Sequence, residues 1–351
     1  MNRPVAKFCS SLVVLWLAIG SMASAQLQRR RDDLPKSLMT AFREVIDEPA
    51  KSTVQIYCDG YRAALGTVVR SDGHIATKAS ELKGKVECQL ANDSKKRVAT
   101  EVGRDAATDL AILKIDAKDM PVAPWSGNDA PAVGSWLATT GMSKDPLTIG
   151  VVSVAARKIL PPQAALGVQL DGAENIARIT SVAPGLAAEK AGLKDGDIIR
   201  KVDGVDIKDR PQLQQIIRGH QPGEKVSLVV EREGRLRTIE ATLGSMTDLV
   251  HDERSEFQNT LGGALSERRS GFPLAIQHDS RLWPEECGGP VVDLDGKVVG
   301  LNIARAGRVE SYALPTSIVR ATVDKLLKME LTSTPAEEKA PGRKNGSPQE
   351  R

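Results

Sequence analysis

Two stretches of short strand-like segments, about 51–157 and Pro273 to Leu314, the second closed by an amphipathic helix from Val319 to Leu327, flank a middle portion of different texture, and this split pattern restricts the fold more than any other feature. Segments such as Val54-Gln55-Ile56-Tyr57-Cys58 and Val86-Glu87-Cys88-Gln89-Leu90 repeat with the period of two that turns one face of a strand toward a core. Within 51–157 Gly, Asp and Pro punctuate them, and no helix longer than a turn or two is needed there, so an antiparallel barrel or sandwich is expected. The texture changes at Pro161-Pro162. From Leu166 to Leu243 the order reads strand, strand, a short Ala-rich helix, paired strands, a second helix and a final hairpin. Leu213, Ile216 and Ile217 give the second helix its apolar face, and Pro211 stands in its first turn. A chain of 351 residues exceeds what one core usually serves, so several domains are expected.

The ends carry different signals. Residues 1–25 contain Arg3 and Lys7, an apolar run from Phe8 to Ile19, and Ala23-Ser24-Ala25, which together read as a signal peptide cleaved before Gln26. The apolar run is shorter than the ~20 residues a membrane span requires, so a secreted or periplasmic protein with no membrane span after cleavage is expected. Residues 26–50 form an N-terminal helical segment, with Leu38, Phe42 and Val45 at helical spacing; residues 329–351, rich in Glu, Lys, Pro and Gly, read as a disordered tail. Of the formal net charge of +3, two units leave with Arg3 and Lys7, and Arg29-Arg30-Arg31 is answered at once by Asp32-Asp33. No basic patch of the kind nucleic acid requires is left. No metal or nucleotide motif is present, so no cofactor is expected. Cys58 and Cys88, both in alternating stretches, are compatible with a disulfide across one barrel and equally with two ordinary buried thiols.

Three segments carry a resemblance. Leu65-Gly66-Thr67-Val68-Val69 with Asp72-Gly73-His74-Ile75-Ala76-Thr77-Lys78-Ala79-Ser80, then Thr108-Asp109-Leu110-Ala111-Ile112-Leu113-Lys114, then Cys287-Gly288-Gly289-Pro290 followed by a strand, Asp295-Gly296 and a second strand, stand in the order and spacing of the HtrA/Deg trypsin-like serine proteases. The middle portion resembles a PDZ domain: Leu166-Gly167-Val168-Gln169-Leu170 is similar to the carboxylate-binding loop, and Ala191-Gly192-Leu193 with Gly196-Asp197-Ile198-Ile199 to the helix-and-strand signature. The implied fold is mainly β, a chymotrypsin/trypsin-like double β-barrel with an inserted α+β PDZ domain over 165–244. The first barrel and the start of the second occupy 51–157, and the rest of the second occupies 256–328. The resemblance also implies a homo-oligomer, commonly a trimer, and binding of extended peptides, unfolded proteins or C-terminal carboxylates along Leu166, Gly167, Val168, Leu213 and Ile217.

The chemistry has been altered. Acyl transfer by this route needs a nucleophile, an imidazole that takes its proton, a carboxylate that orients the imidazole, and amides that hold the oxyanion. By resemblance Asp109 is the carboxylate, Cys287 takes the nucleophile position, and Ser80 takes the histidine position, where it accepts no proton near neutral pH. The oxyanion loop, Gly-Asn in the family, reads Glu285-Glu286 before Cys287-Gly288, and its carboxylates raise a neighbouring thiol's pKa. Two readings follow: a pseudoprotease that binds peptides without turnover, or an endopeptidase using Cys287 with His278 as an unorthodox base. A redox-responsive thiol at Cys287 is a third. His74, His220 and His251 read as structural or linker residues. Arg305 and Arg308 border the primary specificity pocket by resemblance and suit either an acidic ligand or plain surface solvation.

Overall fold

The computed structural model describes residues 34–91, 93–127, 131–172, 176–246 and 263–333. The segment expected to be a signal peptide, His251 and most of the expected tail lie outside these residues. Helices α1 (Lys36–Ala41) and α2 (Arg43–Lys51) meet at Phe42 and realise the N-terminal helical segment as two pieces. Phe42 and Ile46 bury against Ala138, Ile149, Val292 and Val298 and so fasten this segment to the second barrel.

The first barrel contains β1 (Thr53–Cys58), β2 (Tyr61–Arg70), β3 (His74–Lys78), β4 (Val86–Leu90), β5 (Lys96–Asp105) and β6 (Leu110–Ile115), closed in the order β1-β2-β3-β6-β5-β4. Closure leaves no strand edge to protect. Its interior is filled by residues that alternate in the sequence, among them Val54, Ile56, Ile75 and Leu113. Cys58 lies opposite Val86 and Cys88 opposite Ile56, so the two thiols are diagonal neighbours on β1 and β4; both are buried and free, and burial pushes the Cys88 thiol up to about 12.

The second barrel is assembled from both sides of the middle portion: β7 (Trp136–Thr139) and β8 (Thr148–Ile159) come before it, and β17 (Phe272–His278), β18 (Pro290–Val292), β19 (Val298–Gly307) and β20 (Glu310–Pro315) after it. They close in the order β17-β20-β19-β18-β7-β8. β8 pairs directly with β17, from Phe272 opposite Ile159 to His278 opposite Val152, so the barrel wall is continuous across the interruption.

The interruption leaves and returns at one point, where β9 (Ala164–Ala165) pairs with β16 (Gly244–Ser245). Adjacent ends allow a unit to enter a surface connection without disturbing the host core. The inserted unit has β10 (Val168–Leu170) with β11 (Ile179–Val182), a sheet of β12 (Ile198–Val202), β13 (Val205–Asp206), β14 (Lys225–Arg232) and β15 (Arg235–Thr242), and helices α3 (Ala187–Ala191) and α4 (Arg210–Gly219). It has its own core around Ile179, Ala188, Ile199, Leu213 and Leu228. The closing helix α5 (Thr316–Ser333) packs Val319, Val323 and Leu326 into an apolar cluster shared with Leu110 and Ile112 of the first barrel and Leu301 and Leu314 of the second. Lys325 Nζ to Asp105 Oδ1, 2.7 Å, adds a polar tie to the first barrel. Among the described residues no helix is long and apolar enough to cross a membrane.

Candidate functional site

The contact between the barrels holds every position where the resemblance seeks chemistry. Strand β3 ends at Lys78 and delivers Ala79 and Ser80 to the loop before β6. There Ala79 N–H donates to the Asp109 carbonyl at 2.7 Å. Asp109 has φ +60°, a left-handed conformation that Asp tolerates better than most residues, and this turns its carboxylate onto Ser80. Oδ1 accepts the Ser80 N–H and Oδ2 the Ser80 hydroxyl, each at 2.9 Å. Burial pushes the Asp109 carboxyl up; the Ser80 bonds and the nearby Lys78 cation pull against that shift. The carboxylate that would orient an imidazole is therefore occupied by the serine standing in the imidazole's place.

The nucleophile turn is a single 3-10 turn, Pro284–Glu286, held at both ends. Trp283 N–H donates to Glu286 Oε2 at 2.9 Å, Glu286 N–H to the Trp283 carbonyl at 2.9 Å, and Cys287 N–H to the Pro284 carbonyl at 3.1 Å. The Cys287 amide, one of the donors an oxyanion would require by resemblance, is thus spent inside the turn. Leu65 N–H donates to the Cys287 carbonyl at 2.8 Å and stitches the turn to β2. Gly288, at φ +93°, packs so tightly on the Leu65 carbonyl that an added Cβ would collide with it.

Cys287 is fully buried. Its sulfur lies 3.9 Å from Ser266 Oγ and 3.8 Å from the Trp283 carbonyl. Burial pushes the thiol up, and the Lys78 ammonium offsets part of that. Among the described residues, which leave out His251, no imidazole is a partner of its sulfur. His278 instead faces the interior of the second barrel, as fully buried as Cys287, with neither ring nitrogen hydrogen-bonded and Asn302 beside it. Burial lowers its pKa to about 4, against the opposing pull of Asp279. The Cys287–His278 pair considered from the sequence does not form: the alternation of β17 commits residue 278 to a barrel interior rather than to the contact between the barrels. His74 bonds Asp72 Oδ1 at 2.6 Å and Glu330 Oε2 at 3.2 Å, and His220 bonds Glu224 Oε2 at 2.9 Å, so both tie elements together.

Two residues near the sulfur escaped the sequence reading of the site. Lys78, fully buried, donates to Glu81 Oε1 at 3.0 Å and places a cation close to both Asp109 and Cys287. A lysine two residues before the vacated histidine position was the available signal. Ser266 precedes β17 in a stretch without a motif, and nothing local marks it. Arg305, read as a pocket-border residue, is buried: its N–H donates to Ser266 Oγ at 2.9 Å, Nη1 donates to the Leu282 carbonyl at 3.1 Å, and its guanidinium lies 5.6 Å from the Trp283 ring centre. It has no carboxylate partner among the described residues, and burial lowers its pKa. Arg308 is exposed.

In the inserted unit Gly167 takes φ +81°, and a Cβ there would stand 2.7 Å from Leu186 Cβ. The Leu166 carbonyl accepts the Ala188 N–H at 2.7 Å and anchors the loop to α3. β10 pairs with β11 along one edge, and its other edge has no strand partner among the described residues. Leu213 and Ile217, which the resemblance puts in peptide binding, are buried in the unit's core, while Ile216 is the half-buried apolar residue of α4. Among the described residues no group of three or more His, Cys, Asp or Glu side chains is placed to hold a metal.

Comparisons with known proteins agree with this architecture. The chain matches the family described as a trypsin-like peptidase domain over residues 64–185 and the PDZ domain over residues 164–243. It is similar to a probable periplasmic serine endoprotease, DegP-like, from Marinomonas sp., 26% identical over 72% of this chain and 73% of that protein. Proteins of the same description from Halomonas elongata, 23% identical over 66% of this chain and 65% of that protein, and Chlamydia muridarum, 25% identical over 51% and 53%, also match. The chain spans only part of these relatives' length. The solved serine endoprotease from Yersinia pestis is 18% identical over 58% of this chain and 97% of its own, with a TM-score of 0.29. The double barrel, the trypsin-like peptidase and PDZ domain matches and the DegP-like relatives together make this chain similar to HtrA-type trypsin-like proteases.

Proposed function

We propose that this protein is a secreted or periplasmic pseudoprotease that binds extended peptides or unfolded chains without cleaving them. The observation that carries this reading is the engagement of Asp109 by Ser80 through both carboxylate oxygens, with no imidazole from the described residues among the partners of Cys287. A thiol without a base, in a turn whose own amide is committed to Pro284, lacks both proton transfer and oxyanion stabilisation. Loss of one oxyanion donor alone costs about a hundred- to a thousandfold in rate. The PDZ domain supplies the binding function: the open edge of β10 suits an added peptide strand, and the Leu166-Gly167-Val168 loop suits a terminal carboxylate. The test is incubation of the mature protein and of Cys287→Ala with a reduced, unfolded protein. Equal retention of intact substrate by both supports the proposal. Cleavage that disappears in Cys287→Ala overturns it in favour of a cysteine endopeptidase.

A further inference from the structure

His74 opens β3 and is only 5% exposed, yet both of its ring nitrogens meet carboxylates. Nδ1 lies 2.6 Å from Asp72 Oδ1, in the turn between β2 and β3. Nε2 lies 3.2 Å from Glu330 Oε2, near the end of α5 and 256 residues further along the chain. An ionised carboxylate only accepts, so the two bonds coexist only when each nitrogen carries a proton, which is the imidazolium form. Arg70 of β2 and Lys114 of β6 are the cross-strand partners of His74 on either side. Arg70 Nη2 reaches Asp72 Oδ2 at 3.2 Å, and Lys114 Nζ donates to the Asp72 carbonyl and stands 3.9 Å from Oδ1. Burial alone would raise the Asp72 carboxyl, but His74, Lys114 and Arg70 together bring it below its ordinary value, so Asp72 keeps its charge.

We propose that His74 is a proton-operated clasp, which fastens the last turn of α5 to the first barrel when the ring is charged and releases it when the ring is neutral. Histidine is the side chain that changes charge between about pH 5 and 8. Once its second proton leaves, one N–H remains for two carboxylates. Asp72, the closer acceptor and itself held by Arg70 and Lys114, retains it. Nε2 then turns a lone pair toward Glu330 Oε2, and two acceptors repel. The contact is therefore present in acid and lost as pH rises. Release is confined to the helix end, because Lys325 stays on Asp105 at 2.7 Å and Val319, Val323 and Leu326 stay in the shared apolar cluster. The clasp does not depend on the peptide-binding reading.

The test is nuclear magnetic resonance of the full mature protein between about pH 5 and 8. The ring-nitrogen shifts of His74 report its protons directly: both nitrogens protonated at the acid end, Nδ1 alone at the alkaline end. Amide exchange in the last turn of α5, corrected for base catalysis, reports the helix end. Its protection is expected to fall about tenfold from the acid to the alkaline end, the scale of one charge-assisted hydrogen bond, while the middle of α5 stays protected. Glu330→Gln carries an amide that both donates and accepts, so it keeps the contact with either form of the ring; the pH dependence disappears and the protection persists. His74→Gln leaves the turn weakly protected throughout. A ring that carries the same protons from end to end, protection that does not change with pH, or a change that survives in Glu330→Gln overturns the proposal. The ring shifts need no substitution, so they decide the matter even where His74→Gln does not fold.

Discussion

A neutral imidazole shut inside the second barrel makes stability depend on pH. His278 has a pKa of about 4 when folded and 6.5 as its ordinary value, so the unfolded chain takes up a proton that the folded chain refuses. Stability therefore falls as pH drops below 6.5 and stops falling on this account near 4. At about 1.4 kcal/mol per pKa unit the total is on the order of 3–4 kcal/mol. Urea denaturation at several pH values should show a steeper acid loss for the wild type than for His278→Gln; carboxylates titrate in both proteins, so matched curves would refute the role assigned to His278. Cys287 offers a second check at this scale. Full burial and a raised thiol pKa predict slow alkylation of the native protein at pH 8 and rapid alkylation once urea unfolds it, measured by mass spectrometry.

Among the elements, the turns and caps decide how the functional loops are presented. Helix α4 is capped by Asp209, whose side chain accepts the Gln212 N–H at 2.8 Å, with proline in the first turn. Asp209→Ala should cost the inserted domain about 1 kcal/mol and leave the barrels' melting unchanged, as seen by site-specific hydrogen exchange. Gly167→Ala combines a positive φ with a clash against Leu186. It should abolish binding of peptides with a free C-terminus; retained affinity for the free terminus would remove the loop from the binding account.

At the level of the whole molecule, the β9–β16 stem predicts independence of the two units. Replacing residues 164–245 by a short Gly-Ser linker should leave the β8–β17 pairing and the double barrel folded, with a cooperative melt by circular dichroism, because the two ends already stand side by side. Loss of the melt would show that the insert contributes to the barrel core. Much of this plan was legible in residue order: period-two alternation put Val54 and Ile56 on one face of β1, and Pro211 marked the start of α4, because these depend on neighbours a few positions apart. The replaced triad was equally plain, since Ser80 and Cys287 are identities rather than arrangements. What surrounds the sulfur was decided by tertiary structure alone. Lys78, Ser266 and Arg305 come from three distant segments, the Cys287 amide turns to Pro284 rather than to the contact between the barrels, and His278 disappears into a barrel wall. Contacts made across two closed barrels depend on register and packing, which one strand's pattern does not encode.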